Sequence, residues 1–223
     1  MSQPPPASSD PLAEVPLFPL NLVLFPGMQL PLHIFEERYK AMIGTCLERD
    51  EPFGVVLIKE GQEVGAPAEP FRIGTTARIV QVERLEEGQM NLLTTGERRF
   101  ELVEITQRLP HLAGRVRYLK EEPGQDLASA ISEVRQDYAT FLRTLGGLAG
   151  GWSAEIRVPE DPVRLSFAVA SNIDLPRDIR QQLLEAATAK ERLERLVPIL
   201  KRVNEIVREE LVKRNPFQGP RLN

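Results

Sequence analysis

The chain has 223 residues, of which 42% are hydrophobic and 27% are charged, as in an ordinary globular protein with one large or two small domains. Its formal net charge of −4 disfavours wholesale binding to nucleic acid or to an anionic membrane surface. Its single cysteine excludes an internal disulfide and fits a reducing, cytoplasmic setting.

The N-terminal region begins with a predicted disordered leader, residues 1–11, which lacks the basic and apolar pattern of a signal peptide. Residues 15–35 are then densely apolar, but four prolines and a glycine interrupt them. These breaks exclude a membrane helix, which needs a run of about 20 mostly apolar residues. They predict short strands with bends, because proline cannot donate to a strand ladder.

The rest of the first half contains one predicted helix and several predicted strands. Residues 36–49 form the helix, since apolar residues recur there at spacings of three and four. The strands are apolar runs or alternate apolar and polar residues, and a turn is predicted at Glu86-Glu87-Gly88. They span residues 53–59, 75–85, 89–95, 99–105 and 112–119. This spacing predicts an antiparallel barrel or folded sheet.

The second half has helical periodicity. A first amphipathic helix runs from Leu127 and is predicted to end at Gly146-Gly147, before a Gly150-Gly151 loop. Asp161-Pro162 predicts an N-cap followed by a first-turn proline. The predicted helices that follow are residues 163–171, residues 176–187 and a helix that starts at the capping box Thr188–Glu191 and is kinked or split by Pro198.

The hydrophobic pattern changes from strand to helical periodicity at Pro123-Gly124, so we predict a domain boundary there. With the C-terminal tail, this gives three regions after the leader. They are a β domain at 12–122, a helical bundle at 123–215 and a tail at 216–223.

Few residues could support catalysis or metal binding. One cysteine and two histidines, His33 and His111, cannot build a four-ligand zinc site, and the P-loop and nucleophile-elbow motifs are absent. We therefore predict no metal, no cofactor and no catalytic residue. Both histidines are interpreted as structural, and Cys46, on the apolar stripe of a helix, as a buried and inert thiol.

Several motifs resemble the Lon protease N-terminal, substrate-binding domain and its separate bacterial relatives. They are Pro16-Leu-Phe-Pro-Leu20, Leu24-Phe-Pro-Gly27, Leu30-Pro-Leu-His-Ile-Phe-Glu36, Phe53-Gly-Val55, Val64-Gly65, Gly74-Thr75 and Gly96-Glu-Arg-Arg-Phe100. The resemblance continues with Asp161-Pro162 and Gln182-Leu-Leu-Glu185, and covers roughly residues 12–213.

The resemblance implies an α+β fold: a PUA-like antiparallel β pseudo-barrel with one short helix, followed by a C-terminal helical bundle. The implied role is recognition of polypeptides, as an adaptor or sensor for unfolded chains in protein quality control. ATP-dependent proteolysis is not implied, since the sequence has no Walker motif and no catalytic residue of the protease has a counterpart here.

The candidate polypeptide-binding residues are apolar or charged side chains around the opening segment and the Glu97-Arg98-Arg99 triplet. They are Phe25, Met28, Phe35, Glu36, Arg38, Tyr39, Arg98 and Arg99. Core packing is the simpler interpretation of each apolar one, and arginine–carboxylate pairing between elements is the preferred interpretation of the charged ones.

The expected partners are polypeptides, with neither nucleic acid nor membrane, and the oligomeric state is left open. Two other functions are kept as alternatives: RNA binding by a PUA-like barrel, and a serine hydrolase that uses His33 or His111.

Overall fold

The opening apolar segment forms two strands, as its prolines predict, and a larger fold is built on them. The computed structural model describes residues 11–61, 69–148 and 158–214. The leader before residue 11, the Val64-Gly65 motif, the Gly150-Gly151 loop and the predicted tail lie outside these ranges.

The described residues contain seven strands, five α-helices and one short 3-10 helix, Glu86–Gly88, where a turn was predicted. The strands are β1 Ala13–Leu20, β2 Gln29–Ile34, β3 Phe53–Glu60, β4 Glu69–Pro70, β5 Ile73–Arg84, β6 Met90–Gln107 and β7 Leu112–Tyr118. The helices are α1 Glu37–Arg49, α2 Ala128–Leu148, α3 Pro162–Asn172, α4 Arg177–Glu185 and α5 Ala189–Arg214.

Strand β1 changes partner along its length. Its first half pairs antiparallel with β7, and its second half pairs parallel with β3, so that Leu17 faces both Leu112 and Gly54. Apart from Leu17, each half is paired on one side only, where proline is tolerated. The pairings close a circuit through β1, β7, β6, β5 and β3. The predicted pseudo-barrel is confirmed, but one parallel pairing and several bulges make it irregular.

The two strands predicted at 89–95 and 99–105 are one strand of 18 residues, β6. Gly96 lies inside this strand and makes no turn. The Gly96 N–H donates to the Met28 carbonyl at 2.9 Å, and the Gly27 N–H donates to the Gly96 carbonyl at 2.8 Å. A Cβ on Gly96 would lie 2.3 Å from the Phe25 carbonyl oxygen, so glycine is required by close approach of two backbones.

Contacts divide the chain into two compact units. One contains the sheet, up to Lys120, together with Asp174–Glu185 and therefore α4. Leu183 and Leu184 of α4 are buried, and Gln181 Nε2 donates to the Ile73 carbonyl at 3.1 Å. The expected domain bounds, 12–122 and 123–215, stay a prediction.

The other unit contains α2, α3 and α5. The predicted apolar stripe of α5 is buried at Leu193, Leu196 and Leu200. α2 continues past Gly146 and ends at Leu148, within the glycine cluster that was predicted to end it. α5 continues through the exposed Pro198, so the predicted split of this helix is wrong. A glycine costs a helix only about 1 kcal/mol, which packing elsewhere along the helix offsets.

Both predicted helix starts are confirmed. The Asp161 carboxylate accepts a hydrogen bond from Arg164 N–H at 2.8 Å, ahead of Pro162 at the first helical position. Glu191 N–H donates to Thr188 Oγ1 at 3.2 Å, and the Glu191 carboxylate accepts a hydrogen bond from Ala187 N–H at 2.8 Å. None of the helices within the described ranges is long and apolar enough to cross a membrane.

Candidate polypeptide-binding surface

Strand β2, the first half of β6 and the second half of β5 form a three-stranded part of the sheet. β2 pairs with β6 from Gln29 to Ile34, and β6 pairs with β5 from Arg78 to Arg84. One face of these strands is covered by α1. The residues that meet there are Leu30, Ile34, Met90 and Leu92 from the strands and Tyr39, Met42, Ile43 and Cys46 from α1.

The other face of these three strands is not covered by any helix in the described residues. Directly opposed residues share a face, so Pro31, Leu93 and Gln81 form one row, and His33, Asn91 and Glu83 form the next. We call this surface the open sheet face, and it consists of Pro31, His33, Phe35, Val80, Gln81, Glu83, Asn91 and Leu93.

Two large apolar side chains are exposed there. Phe35 is 51% exposed and Val80 is 53% exposed. Val80 is the extra residue where the β5–β6 register shifts between Ile79 and Gln81. A bulge of this kind re-aims a side chain away from the regular alternation.

A chain of hydrogen bonds crosses all three strands of the open sheet face. Asn91 Nδ2 donates to the Glu83 carboxylate at 2.9 Å. The Asn91 side-chain oxygen therefore accepts, and His33 Nδ1 donates to it at 2.8 Å. The His33 ring also stacks on Phe35, with ring centroids 5.9 Å apart. The polar groups thus hold each other in place and fix the ring that supports Phe35.

The structure places the sequence-predicted site residues in three different settings. Phe35 alone lies on the open sheet face. Phe25, Tyr39 and Arg99 are interior, with exposed fractions of 0%, 4% and 2%. Each is enclosed by packing within its own unit, so none of the three is part of the open sheet face.

Each interior residue has a packing partner. Tyr39 stacks on Phe18 with ring centroids 4.0 Å apart, and the Arg180 guanidinium lies 5.0 Å from the Phe25 ring centroid. Arg99 Nη1 donates to the Leu184 carbonyl at 2.5 Å, near the end of α4. These contacts of Tyr39, Phe25 and Arg99 stabilise the fold of the sheet unit.

The remaining predicted residues lie at partly exposed positions away from the open sheet face. Glu36 and Arg38 form an ion pair at 2.9 Å within one segment rather than between elements. Half-buried Met28 is contacted by Arg180 at 3.5 Å. Exposed Arg98 lies over the Tyr118 ring, 4.0 Å from its centroid.

Sequence reasoning missed Pro31, Val80, Asn91 and Leu93. Side chains alternate between the two faces of a strand, so treating residues 29–34 as a strand would have placed Leu30 and Ile34 inward and Pro31 and His33 outward. No comparable sequence signal marks Val80, because the bulge follows from the register of two strands.

The histidines and the cysteine show no arrangement for nucleophilic chemistry. Neither His33 nor His111 is hydrogen-bonded to a serine in the described part of the chain. The pKa of His111 is lowered mainly by burial and to a smaller extent by the positive charge of Arg38. Burial raises the pKa of the Cys46 thiol to about 11, so it stays protonated and unreactive at neutral pH. Residues 11–61, 69–148 and 158–214 hold no group of three or more His, Cys, Asp or Glu placed to bind a metal ion.

Comparison with known proteins agrees with this architecture. A Lon protease from Anaeromyxobacter dehalogenans is 28% identical over 204 residues, which are 88% of this chain and 24% of the relative. A Lon protease from Parabacteroides distasonis is 29% identical over 212 residues, again 24% of its length. The chain therefore spans about a quarter of the curated relatives it matches.

Solved structures match over most of the chain. The crystal structure of a Lon N-terminal domain protein from Xanthomonas campestris has a TM-score of 0.63 and 25% identity, and covers 83% of this chain and 98% of that one. The N-terminal domain of a Mycobacterium avium complex Lon protease has a TM-score of 0.66 at 20% identity, with 86% and 98% coverage. The family model for the ATP-dependent protease La (LON) substrate-binding domain matches residues 14–202. The chain belongs to the LON substrate-binding domain family.

Proposed function

We propose that this protein is a non-catalytic module that binds unfolded or extended polypeptide segments at the open sheet face, as an adaptor or sensor in protein quality control. Family membership supports recognition of polypeptides in general. The observation that carries the choice of surface is the exposure of Phe35 and Val80 on a sheet face whose opposite side is covered by α1.

The composition of the open sheet face suits segments of varied sequence. Phe35 and Leu93 offer apolar contact, while the Gln81 amide offers both a hydrogen-bond donor and an acceptor. Glu83 is engaged with Asn91, and Arg78, which lies in the next row of the same face, is paired with Glu97 and Asp50. A surface whose charges are already paired favours apolar segments that a folded protein would bury.

A binding titration tests this proposal. A fluorescently labelled, permanently unfolded model protein is titrated with the parent chain and with a variant carrying Phe35→Ala and Val80→Ala. We expect the double variant to bind about tenfold more weakly, because it loses two apolar anchors together worth about 1.4 kcal/mol.

The matched control is Ile206→Ala, which truncates a side chain 47% exposed on α5 of the other unit. It should bind as the parent does. Absence of saturable binding by a folded parent sample, or equal weakening in the control, would refute the proposal.

A further inference from the structure

A second surface of the sheet unit has a different chemistry from the open sheet face. A groove of about 700 Å³ lies along the far half of β6 and the segment around β4. Its volume is in the range of about 300–1,000 Å³ that binding pockets occupy. It is lined by Lys59, Glu69, Pro70, Phe71, Arg72, Leu102, Val103, Glu104, Ile105, Arg108 and Glu185. We call it the Arg72 groove.

Strand edges line both sides of the Arg72 groove. Pairing of β5 with β6 ends at Ile73 and Glu101, and the last backbone bond on that side runs from Leu102 N–H to the Arg72 carbonyl at 2.7 Å. Beyond it, β6 has β7 on one side and no described strand on the other. Among the described strands, β4 likewise pairs only with β3. Unpaired strand edges are sites where an extended chain can add.

The floor of the groove is apolar. Phe71 and Ile105 are half-buried, and Val103 is 37% exposed between buried Leu102 and charged Glu104. An added strand would direct every second side chain toward this floor.

The charges around the groove are unevenly neutralised. Arg108 pairs with Glu69 at 3.5 Å, and Glu104 pairs with Arg115. The Lys59 and Arg72 side chains have neither an ion pair nor a hydrogen bond in the part of the chain that the structure describes. The third carboxylate of the lining, Glu185, accepts a hydrogen bond from the Gln181 amide at 2.8 Å and keeps its negative charge. Two such cations against this one carboxylate leave a positive surplus beside an apolar floor, which complements a partner that alternates apolar and acidic side chains.

We infer that the Arg72 groove docks an extended, acidic segment of a partner polypeptide as an added strand beside β6. The partner's side-chain carboxylates meet Lys59 and Arg72, and its apolar side chains pack on Phe71, Val103 and Ile105. This site does not depend on the open sheet face, so either can fail without the other.

Fluorescence anisotropy tests this inference with the full chain. The probe is a short fluorescein-labelled peptide of alternating isoleucine and glutamate with an amidated C-terminus, which removes the terminal carboxylate as a source of binding. We expect saturable binding, weakened about tenfold by Lys59→Gln combined with Arg72→Gln. Val103→Asp should weaken it as well, because it places a like charge on the floor.

A charge-matched control separates the site from the net charge of the protein. Arg202→Gln combined with Lys213→Gln removes the same two charges from exposed positions on α5, and should leave binding unchanged. The inference is overturned by absent binding, by equal weakening in this control, or by equal affinity for a peptide with lysine in place of glutamate. It is also overturned if single-stranded oligouridylate binds more tightly than the peptide and loses affinity in the Lys59 and Arg72 variant.

Discussion

Arg98 and Arg99 are adjacent arginines with different surroundings. Alternation along β6 turns the Arg99 side chain inward, where it is 2% exposed and donates to the Leu184 carbonyl. Arg98 turns outward and lies over the Tyr118 ring. Burial of a guanidinium is tolerated only when its donors are satisfied, so Arg99 couples β6 to α4 within the sheet unit.

Replacing each arginine separates the two roles. We expect Arg99→Ala to lower the free energy of unfolding by about 3 kcal/mol, because it strands a buried carbonyl and opens a cavity. Arg98→Ala should cost about 1 kcal/mol or less, the worth of an exposed cation–π contact. Urea unfolding of both variants measures the difference, and equal losses would contradict the assignment of Arg99 as an internal tie.

Individual residues also explain what the sequence could and could not reveal. The burial of Cys46 and Met42 follows from helical spacing, and Asp161 as an N-cap follows from residue type and the proline after it. The inward turn of Arg99 was not predictable, since its partner is a backbone carbonyl 85 positions further along the chain.

Among the elements, β6 has the largest influence on the site. It pairs with β2, β5 and β7, and so builds both the open sheet face and one wall of the Arg72 groove. Gly96 permits this continuity, because a side chain there would strike the Phe25 backbone. The sequence predicted two strands, at 89–95 and 99–105, because the tertiary approach of Phe25 that explains the glycine between them does not appear in the local pattern.

Two glycine substitutions test this view of β6. Gly96→Ala should destabilise the protein by about 3 kcal/mol, because a backbone atom 2.3 Å from the new Cβ cannot move aside easily. Gly44→Ala, inside α1 with nothing within 4 Å, should stabilise it by about 1 kcal/mol. Thermal unfolding measures both, and a neutral Gly96→Ala would show that close approach does not constrain the strand.

At the scale of the whole molecule, the change from strand to helical periodicity correctly predicted the fold class. Residues up to Lys120 hold every described strand, and α2, α3 and α5 pack in the other unit. The association of α4 with the sheet unit was not foreseen, because its amphipathic pattern fits burial against a sheet as well as against helices. The open sheet face was only partly predicted, through Phe35, since exposure depends on strand register.

Site-specific photocrosslinking shows whether the open sheet face contacts unfolded polypeptides. A photoreactive benzophenone amino acid replaces Val80 in one sample and Ile206 in another, two side chains with similar exposure of 53% and 47%. On irradiation with an unfolded model protein, we predict strong crosslinking from position 80 and little from position 206. Equal crosslinking from both positions, or crosslinking from position 206 alone, would show that the open sheet face is not the surface that contacts unfolded polypeptides.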